Sequence, residues 1–203
     1  MGRGSAPARG TRPDAGRARP PEDPPPGLPH VVVDGWGPLA EELVAQLRRC
    51  GASVRGGRHA ADGAELALGT DGEPPGAVVV VAEGRRPEWL GAPWQARGIP
   101  HLPVVLGSRE VVVGPLVLPG RTACLHCAAG AWDSSRVSGR GSVPVGSLVL
   151  AAAVATVTVL SVLRGDDSLG GITTEISLED VSVAHRLWNL REDCRCARGR
   201  MAG

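Results

Sequence analysis

The chain has no lysine, no phenylalanine and no tyrosine. Without lysine, all 22 basic residues are arginine, and no ammonium group is present to reach a triphosphate. An all-arginine chain rich in Ala, Gly and Pro reflects a GC-rich coding sequence, so the arginines are not read as phosphate recognition. The net charge is +1 and the arginines form no stripe, which excludes a nucleic-acid interface. Without Phe or Tyr, and with only five Trp, the core must be filled by Val, Leu and Ala; a hydrophobic fraction of 42 % is enough to build one. The N-terminus lacks an apolar signal core, so the chain reads as cytoplasmic. In that reducing setting paired cysteines favour metal ligation over disulfides.

The length of 203 residues suits one domain with a tail. Pro and Gly make up 13 of residues 1–29, a segment too poor in apolar surface to offset its ordering entropy; it is expected to be disordered, with the folded domain over residues 30–203. A short apolar strand over 30–33 leads into a helix over 38–49. There Leu39, Leu43 and Leu47 repeat at i+4, Pro38 opens the first turn and Gly51 closes the last. A strand is expected over 52–54, a weak helix over 60–68, and a fully buried strand over the unbroken run 77–82. A short helix falls within 85–97, starting near Pro87, followed by strands over 98–106 and 109–118 and a loop over 128–142. Residues 143–163 carry no charge. Their length would permit a membrane span, but Ser147, Thr156, Thr158, Ser161 and frequent Ala favour a buried core helix. Strands over 172–178 and 181–188, joined at Glu179-Asp180, complete an α/β domain with helices on both faces of a mostly parallel sheet and a C-terminal antiparallel pair.

Four of the five cysteines form two close pairs, Cys124-x-x-Cys127 and Cys194-x-Cys196. A tetrahedral zinc ion takes four thiolates, and two pairs distant in sequence are the usual way to supply them. The pairs are therefore expected to form one structural zinc site that clips the tail onto the body. A redox Cys-x-x-Cys or unrelated thiols are the alternatives, and His126 is a substitute ligand. Cys50 reads as an ordinary thiol near a helix end.

The sequence GWGPLA at 35–40 matches a glycine-loop pattern between a strand and a helix. In that setting Gly35 and Gly37 would let the backbone approach a phosphate at the helix N-terminus. Packing of strand on helix explains the same glycines, and no acidic residue ends the second strand to hold a ribose. Glu83 closes the strongest strand, where a carboxylate would hold Mg²⁺ and Arg85 or Arg86 would face a phosphate; a solvated charged loop is the competing account. His101 reads as structural, and no Ser/His/Asp or Cys/His set has readable spacing.

The order of these motifs resembles the ThiF/MoeB-like family, the ubiquitin-activating-type adenylyltransferase fold. The resemblance spans residues 30–196: GWGPLA, the strand over 77–82, Gly98-Ile-Pro100, then GPLVLPGRTACLHC over 114–127, a long apolar helix, two late strands and Asp193-Cys-Arg-Cys196. The Pro-Gly-Arg-Thr-x-Cys-x-x-Cys segment and the Cys-x-Cys ending are most similar to the ThiF-like partners of YcaO cyclodehydratases, which make azoline-containing, bacteriocin-type peptides. The resemblance implies a Rossmann-like fold, a structural zinc held by Cys124, Cys127, Cys194 and Cys196, and a scaffold that helps present a precursor peptide to a YcaO-type cyclodehydratase. It leaves a homodimer open. Active members carry an Asp after the second strand, an Arg and a Lys for the phosphates, and an Asp for Mg²⁺ near Glu83. The first Asp and the Lys are missing here. The expectation is thus a degenerate scaffold without catalytic residues and with ATP in doubt; the alternative is an active adenylyltransferase using Glu83, Arg85 and Arg86. A dinucleotide-dependent oxidoreductase is a distant third. The winged-helix peptide-docking module often found upstream in the subgroup has no counterpart in the first 29 residues.

Overall fold

The computed structural model describes residues 1, 28–70, 72–83, 87, 90–131 and 143–198. The expected disorder of the N-terminal segment, the pair Arg85 and Arg86, and most of the loop expected over 128–142 fall outside them. The elements in chain order are β1 (Val31–Asp34), α1 (Pro38–Arg49), β2 (Val54–Gly57), α2 (Ala60–Leu68), β3 (Ala77–Glu83), α3 (Ala92–Ala96), β4 (His101–Leu106), β5 (Glu110–Val113), α4 (Val145–Leu163), β6 (Ile172–Ser177), β7 (Val183–Leu187) and α5 (Arg195–Arg198). All seven strands join one sheet, ordered β2-β1-β3-β4-β5-β6-β7.

The sheet is mixed rather than mostly parallel. Strands β2, β1, β3 and β4 run parallel, while the pairs β4–β5, β5–β6 and β6–β7 are antiparallel. The C-terminal hairpin is therefore not an appendage but the end of a continuous antiparallel half. The alternation of side chains assigns the faces. Val31, Val33, Val79, Val104, Val111 and Val113 pack with Leu39, Leu43 and Leu47 of α1 and with Ala151, Ala152, Ala155 and Val159 of α4. Val32, Val78 and Val80 point the other way, to Ala64 of α2 and Trp94 of α3. On that same opposite face, under the antiparallel half, Ala82, Val105 and Val112 pack against Cys124, Cys127 and Cys194. Each fully buried Val or Leu contributes roughly 1.5–3 kcal/mol, and these rows fill the place that aromatic residues take in other cores.

The expected strand over 52–54 begins two residues later. Ala52 donates its N–H to Leu47 O (3.1 Å), so the residues after α1 serve the helix end before they join the sheet. In β2 the side chains nearest α1 are absent: a Cβ on Gly56 would lie 2.8 Å from Val44 Cγ2. The strand expected over 109–118 stops at Val113. Gly114 adopts φ +95 and precedes a cis Pro115, and a Cβ there would meet Ile172 O at 2.5 Å. Proline breaks the ladder, and the following residues run beside other partners, Val117 opposite His101 and Leu116 opposite Gly170. The long apolar helix is α4; its length and composition would allow it to cross a membrane. In this fold it lies on α1 and the sheet with Ala151, Ala152, Ala155 and Val159 fully enclosed, while Val145, Val149 and Val157 remain exposed.

Candidate functional sites

The four-cysteine cluster is assembled by two turns from opposite ends of the domain. Leu118-Pro119-Gly120-Arg121 carries proline second and a glycine at φ +75 third, with Arg121 N–H donated to Leu118 O at 2.9 Å, the features of a type II turn. Thr122 Oγ1 accepts from Leu118 N–H at 2.9 Å and locks it. The next turn presents Cys124 and Cys127, with Ala128 N–H closing on Cys124 O (3.2 Å). From the other side the β6–β7 hairpin delivers the tail. Trp188 anchors it twice, N–H to Gly171 O at 3.0 Å and Nε1–H to Thr173 Oγ1 at 2.9 Å, with the Arg186 guanidinium 5.2 Å over its ring. Arg191 then holds Asp193 (3.2 and 3.0 Å), and Cys194 N–H is donated to Arg191 O at 3.0 Å.

The result is four thiols facing one point. Sγ–Sγ distances are 3.8 Å for Cys124–Cys127, 3.6 Å for Cys124–Cys194 and 3.5 Å for Cys127–Cys196, and all four atoms lie within 4.8 Å of one another. Four sulfurs about 2.3 Å from a single ion are about 3.8 Å apart along each tetrahedral edge, so this set can hold one metal ion. Cys124, Cys127 and Cys194 are buried and Cys196 is half-buried. Burial pushes the Cys124 thiol above its ordinary range, and Cys196 is raised further, first by burial and then by its thiol neighbours. At Cys194 burial acts upward, but hydrogen bonds from the Cys196 backbone and the surrounding thiols bring it below the usual value. Buried thiols that resist ionisation alone are released by a cation, which makes such a cluster pH-dependent in its metal uptake. His126 is exposed at the edge, and the cysteines alone bring four ligand atoms together without it.

A second site lies at the carboxyl ends of β1 and β3. Chain order reverses there: α1 carries the chain outward from β1 to β2, and α2, on the opposite face, carries it back past β1 to β3. Open α/β sheets bind ligands at such a point. Gly35 and Gly37 both take positive φ (+148 and +88), and Glu83 ends β3 beside them, its Oε1 3.8 Å from where a Gly37 Cβ would stand. The expected trio is thus brought together. Gly35 and Glu83 line a cleft of about 480 Å³ together with Asp34, Trp36, Arg58 and His59.

Three residues of this cleft, Asp34, Arg58 and His59, were not singled out from sequence. Asp34, the last residue of β1, accepts the Ala61 N–H at 3.0 Å near the start of α2. Burial raises its pKa above the ordinary carboxylate value, against the opposing pull of that hydrogen bond. Arg58, directly after β2, lies over the half-exposed Trp36 ring at 4.6 Å. The sequence signal was modest: Asp34 immediately precedes the glycine loop, and Arg58 follows Gly56-Gly57.

No protein-family model matches the chain, and no curated protein does. Solved structures do share its fold. A heterocyclase in complex with substrate and cofactor matches with a TM-score of 0.64 at 16 % identity, over 84 % of this chain and 26 % of that one. The heterocyclase TruD matches at 0.58 and 18 %, over 84 % and 28 %. MccB of E. coli, solved with ATP, matches at 0.63 and 13 %, over 84 % and 67 %. At these identities the likeness is one of fold. The chain spans about a quarter of the length of the two heterocyclases (26 % and 28 %).

Proposed function

We propose that this chain is a ThiF-like, Rossmann-type scaffold subunit, stapled by zinc at Cys124, Cys127, Cys194 and Cys196, that works with a YcaO-type cyclodehydratase on a ribosomal precursor peptide in the cytoplasm. The observation that carries this reading is the contrast between the two sites. The cysteine cluster brings four thiols within 4.8 Å of one another. The cleft at Gly35, Gly37 and Glu83 has Arg58 on Trp36 where an active enzyme would hold a ribose, and the chain has no lysine for the phosphates. The fold shared with two heterocyclases supports the assignment. In this reading the cyclising activity belongs to the YcaO-type enzyme; the chain corresponds to 26 % and 28 % of the heterocyclases' length.

A specific observation favours a second reading, an ATP-dependent adenylyltransferase acting on a peptide C-terminus: two carboxylates, Asp34 and Glu83, border one cleft beside a positive-φ glycine loop. One set of assays separates the two. The scaffold reading expects azoline formation by a YcaO-type enzyme to rise when this chain is added, with no ATP–pyrophosphate exchange by the chain alone. Exchange that depends on a peptide C-terminus and is lost in Glu83→Ala overturns the scaffold reading in favour of the enzyme.

A further inference from the structure

The β6–β7 hairpin separates its side chains by charge. On the face toward the cysteine cluster, Arg186 pairs with Glu175 at 3.6 Å and lies over Trp188. On the face toward α4, the register sets Ile172 beside Leu187, Thr174 beside His185 and Ile176 beside Val183, with no carboxylate or guanidinium among them. That alternation is the pattern of a sheet buried on one side. Thr174 and Ile176 are buried, but every residue of β7 is exposed, Leu187 at 65 %. Helix α4 shows the same mismatch. It carries no charged residue from Val145 to Leu163, and a helix that is apolar all round is normally a buried one. Helix α1 and the sheet cover one side of it, yet Val145, Val149 and Val157 face outward, Val157 at 61 %. Between this outward ridge and the hairpin runs a groove of about 580 Å³, walled by Ala153, Val154, Val157, Ile172, Thr174 and His185. Ridge, groove and strand form one continuous surface, and among the described residues nothing covers it.

We infer that this face docks a second copy of the chain, the α4 ridge of each protomer seated in the groove of the other about a two-fold axis. Three observations select a copy over another occupant. The surface carries both a ridge and a groove to receive it, so it can complement itself, as a two-fold contact requires. Its size fits as well. The exposed parts of Val145, Val149, Val157, Val183 and Leu187 alone present roughly 500 Å². Adding His185 and the partly exposed groove walls brings the face near the roughly 800 Å² per partner of a standard interface. The lack of charge removes repulsion between identical copies and leaves nothing for a nucleic acid or a charged partner to pair with. A bilayer fits less well: helices that lie on membranes carry a basic polar face, whereas α4 has none and Arg164 beyond it is followed by Asp166 and Asp167. The contact is independent of the cyclodehydratase reading and needs no partner enzyme.

The test is sedimentation velocity on the full chain, from about 1 to 100 µM. The parent is expected to sediment as a dimer with a dissociation constant in the micromolar range or tighter. Val157→Glu on α4 and Leu187→Glu on β7 each put a carboxylate into the buried contact and should weaken the dimer at least about 100-fold. Far-ultraviolet circular dichroism and metal content should stay unchanged, since both side chains are exposed in the single chain. The two stand on different elements, so one remains decisive if the other disturbs folding. Ala184→Arg, on β7 but on the opposite face and beside Glu175, should leave the dimer intact. A monomeric parent across that range overturns the inference, and its co-sedimentation with phosphatidylcholine vesicles would assign the face to a bilayer instead. A dimer that survives both Glu substitutions overturns it by placing the contact elsewhere. Equal dissociation by Ala184→Arg overturns it in favour of pairing along the strand edge.

Discussion

Replacing Gly35 with alanine separates two reasons for the glycine loop. At this residue φ is +148, a region that side-chain-bearing residues avoid, and an added Cβ would lie 2.7 Å from Val81 Cβ and 3.2 Å from Val81 O. Backbone strain of this type costs about 1–3 kcal/mol. The clash adds about 1–3 kcal/mol more, because Val81 sits in the middle of β3, and β3 is held on both sides by β1 and β4. The neighbour at Gly37 shares the unfavourable conformation (φ +88) but has open space, with Glu83 Oε1 at an ordinary 3.8 Å. Gly37→Ala should therefore lose only the strain, about 1–3 kcal/mol, and Gly35→Ala should exceed it by about 2 kcal/mol. Urea unfolding followed by far-ultraviolet circular dichroism measures both, and similar m-values would keep the comparison two-state. If the loop is kept for packing, the two variants differ in this order whether or not nucleotide is present. Equal midpoints for the two would refute the steric argument. Wild-type stability in Gly35→Ala, accompanied by loss of ATP binding, would show that the glycine serves a phosphate.

The other expectations are independent of that one. If the four thiols hold zinc as proposed, Cys194→Ser should lower metal affinity more than about 100-fold and free the tail; Trp188, packed beside the cluster, should red-shift in fluorescence, and an unchanged metal content would sink the four-thiol site. Burial holds His101 at about 4 against 6.5 when unfolded, so the folded state binds fewer protons below pH 6.5. Stability is complete above that value and falls as pH drops toward 4, by about 3 kcal/mol in full; urea midpoints from pH 7.5 to 4.5 should show a slope that His101→Gln removes, and an identical slope in the variant counts against it. Asp34 has the opposite sign: its raised pKa means that stability present in acid is lost as pH rises through the folded value. Asp34→Asn keeps an acceptor for Ala61 N–H and should equal or exceed the parent's thermal midpoint at pH 7; a lower midpoint would mean that the charge itself is needed for folding.

Elements with one dominant local signal were legible. Helix α1 occupies the expected residues because its leucine stripe, Pro38 and Gly51 all agree. The weak expectation over Ala60–Leu68 also holds, though only Ala64 is buried there; the partner is the carboxylate of Asp34, a long-range contact that no local pattern encodes. The turn to an antiparallel half was not legible. Val104, Val105, Val111 and Val112 form unbroken apolar runs because both faces of β4 and β5 are covered, and a run without alternation carries no information on strand direction. Likewise β5 was drawn too long because Leu116, Val117 and Leu118 are as apolar as the strand. The Gly114-Pro115 break decides the matter, through a close approach to Ile172 O.

The two kinds of site also differ in what a sequence records of them. The cysteine cluster is made of one uncommon residue type, so two cysteine pairs announce it even though 66 residues separate Cys127 from the closing pair at Cys194 and Cys196. Other groups acquire meaning only by position. Arg58 matters because it lies on Trp36, and Gly91 because a methyl would strike His101. The cluster and the chain at Gly91 are mechanically linked: Leu125 stands between Cys124 and Cys127 and also faces Gly91. Freeing the tail in Cys194→Ser should therefore also loosen Leu125, read as faster amide hydrogen exchange at Leu125 than in the parent; unchanged exchange there would refute the link.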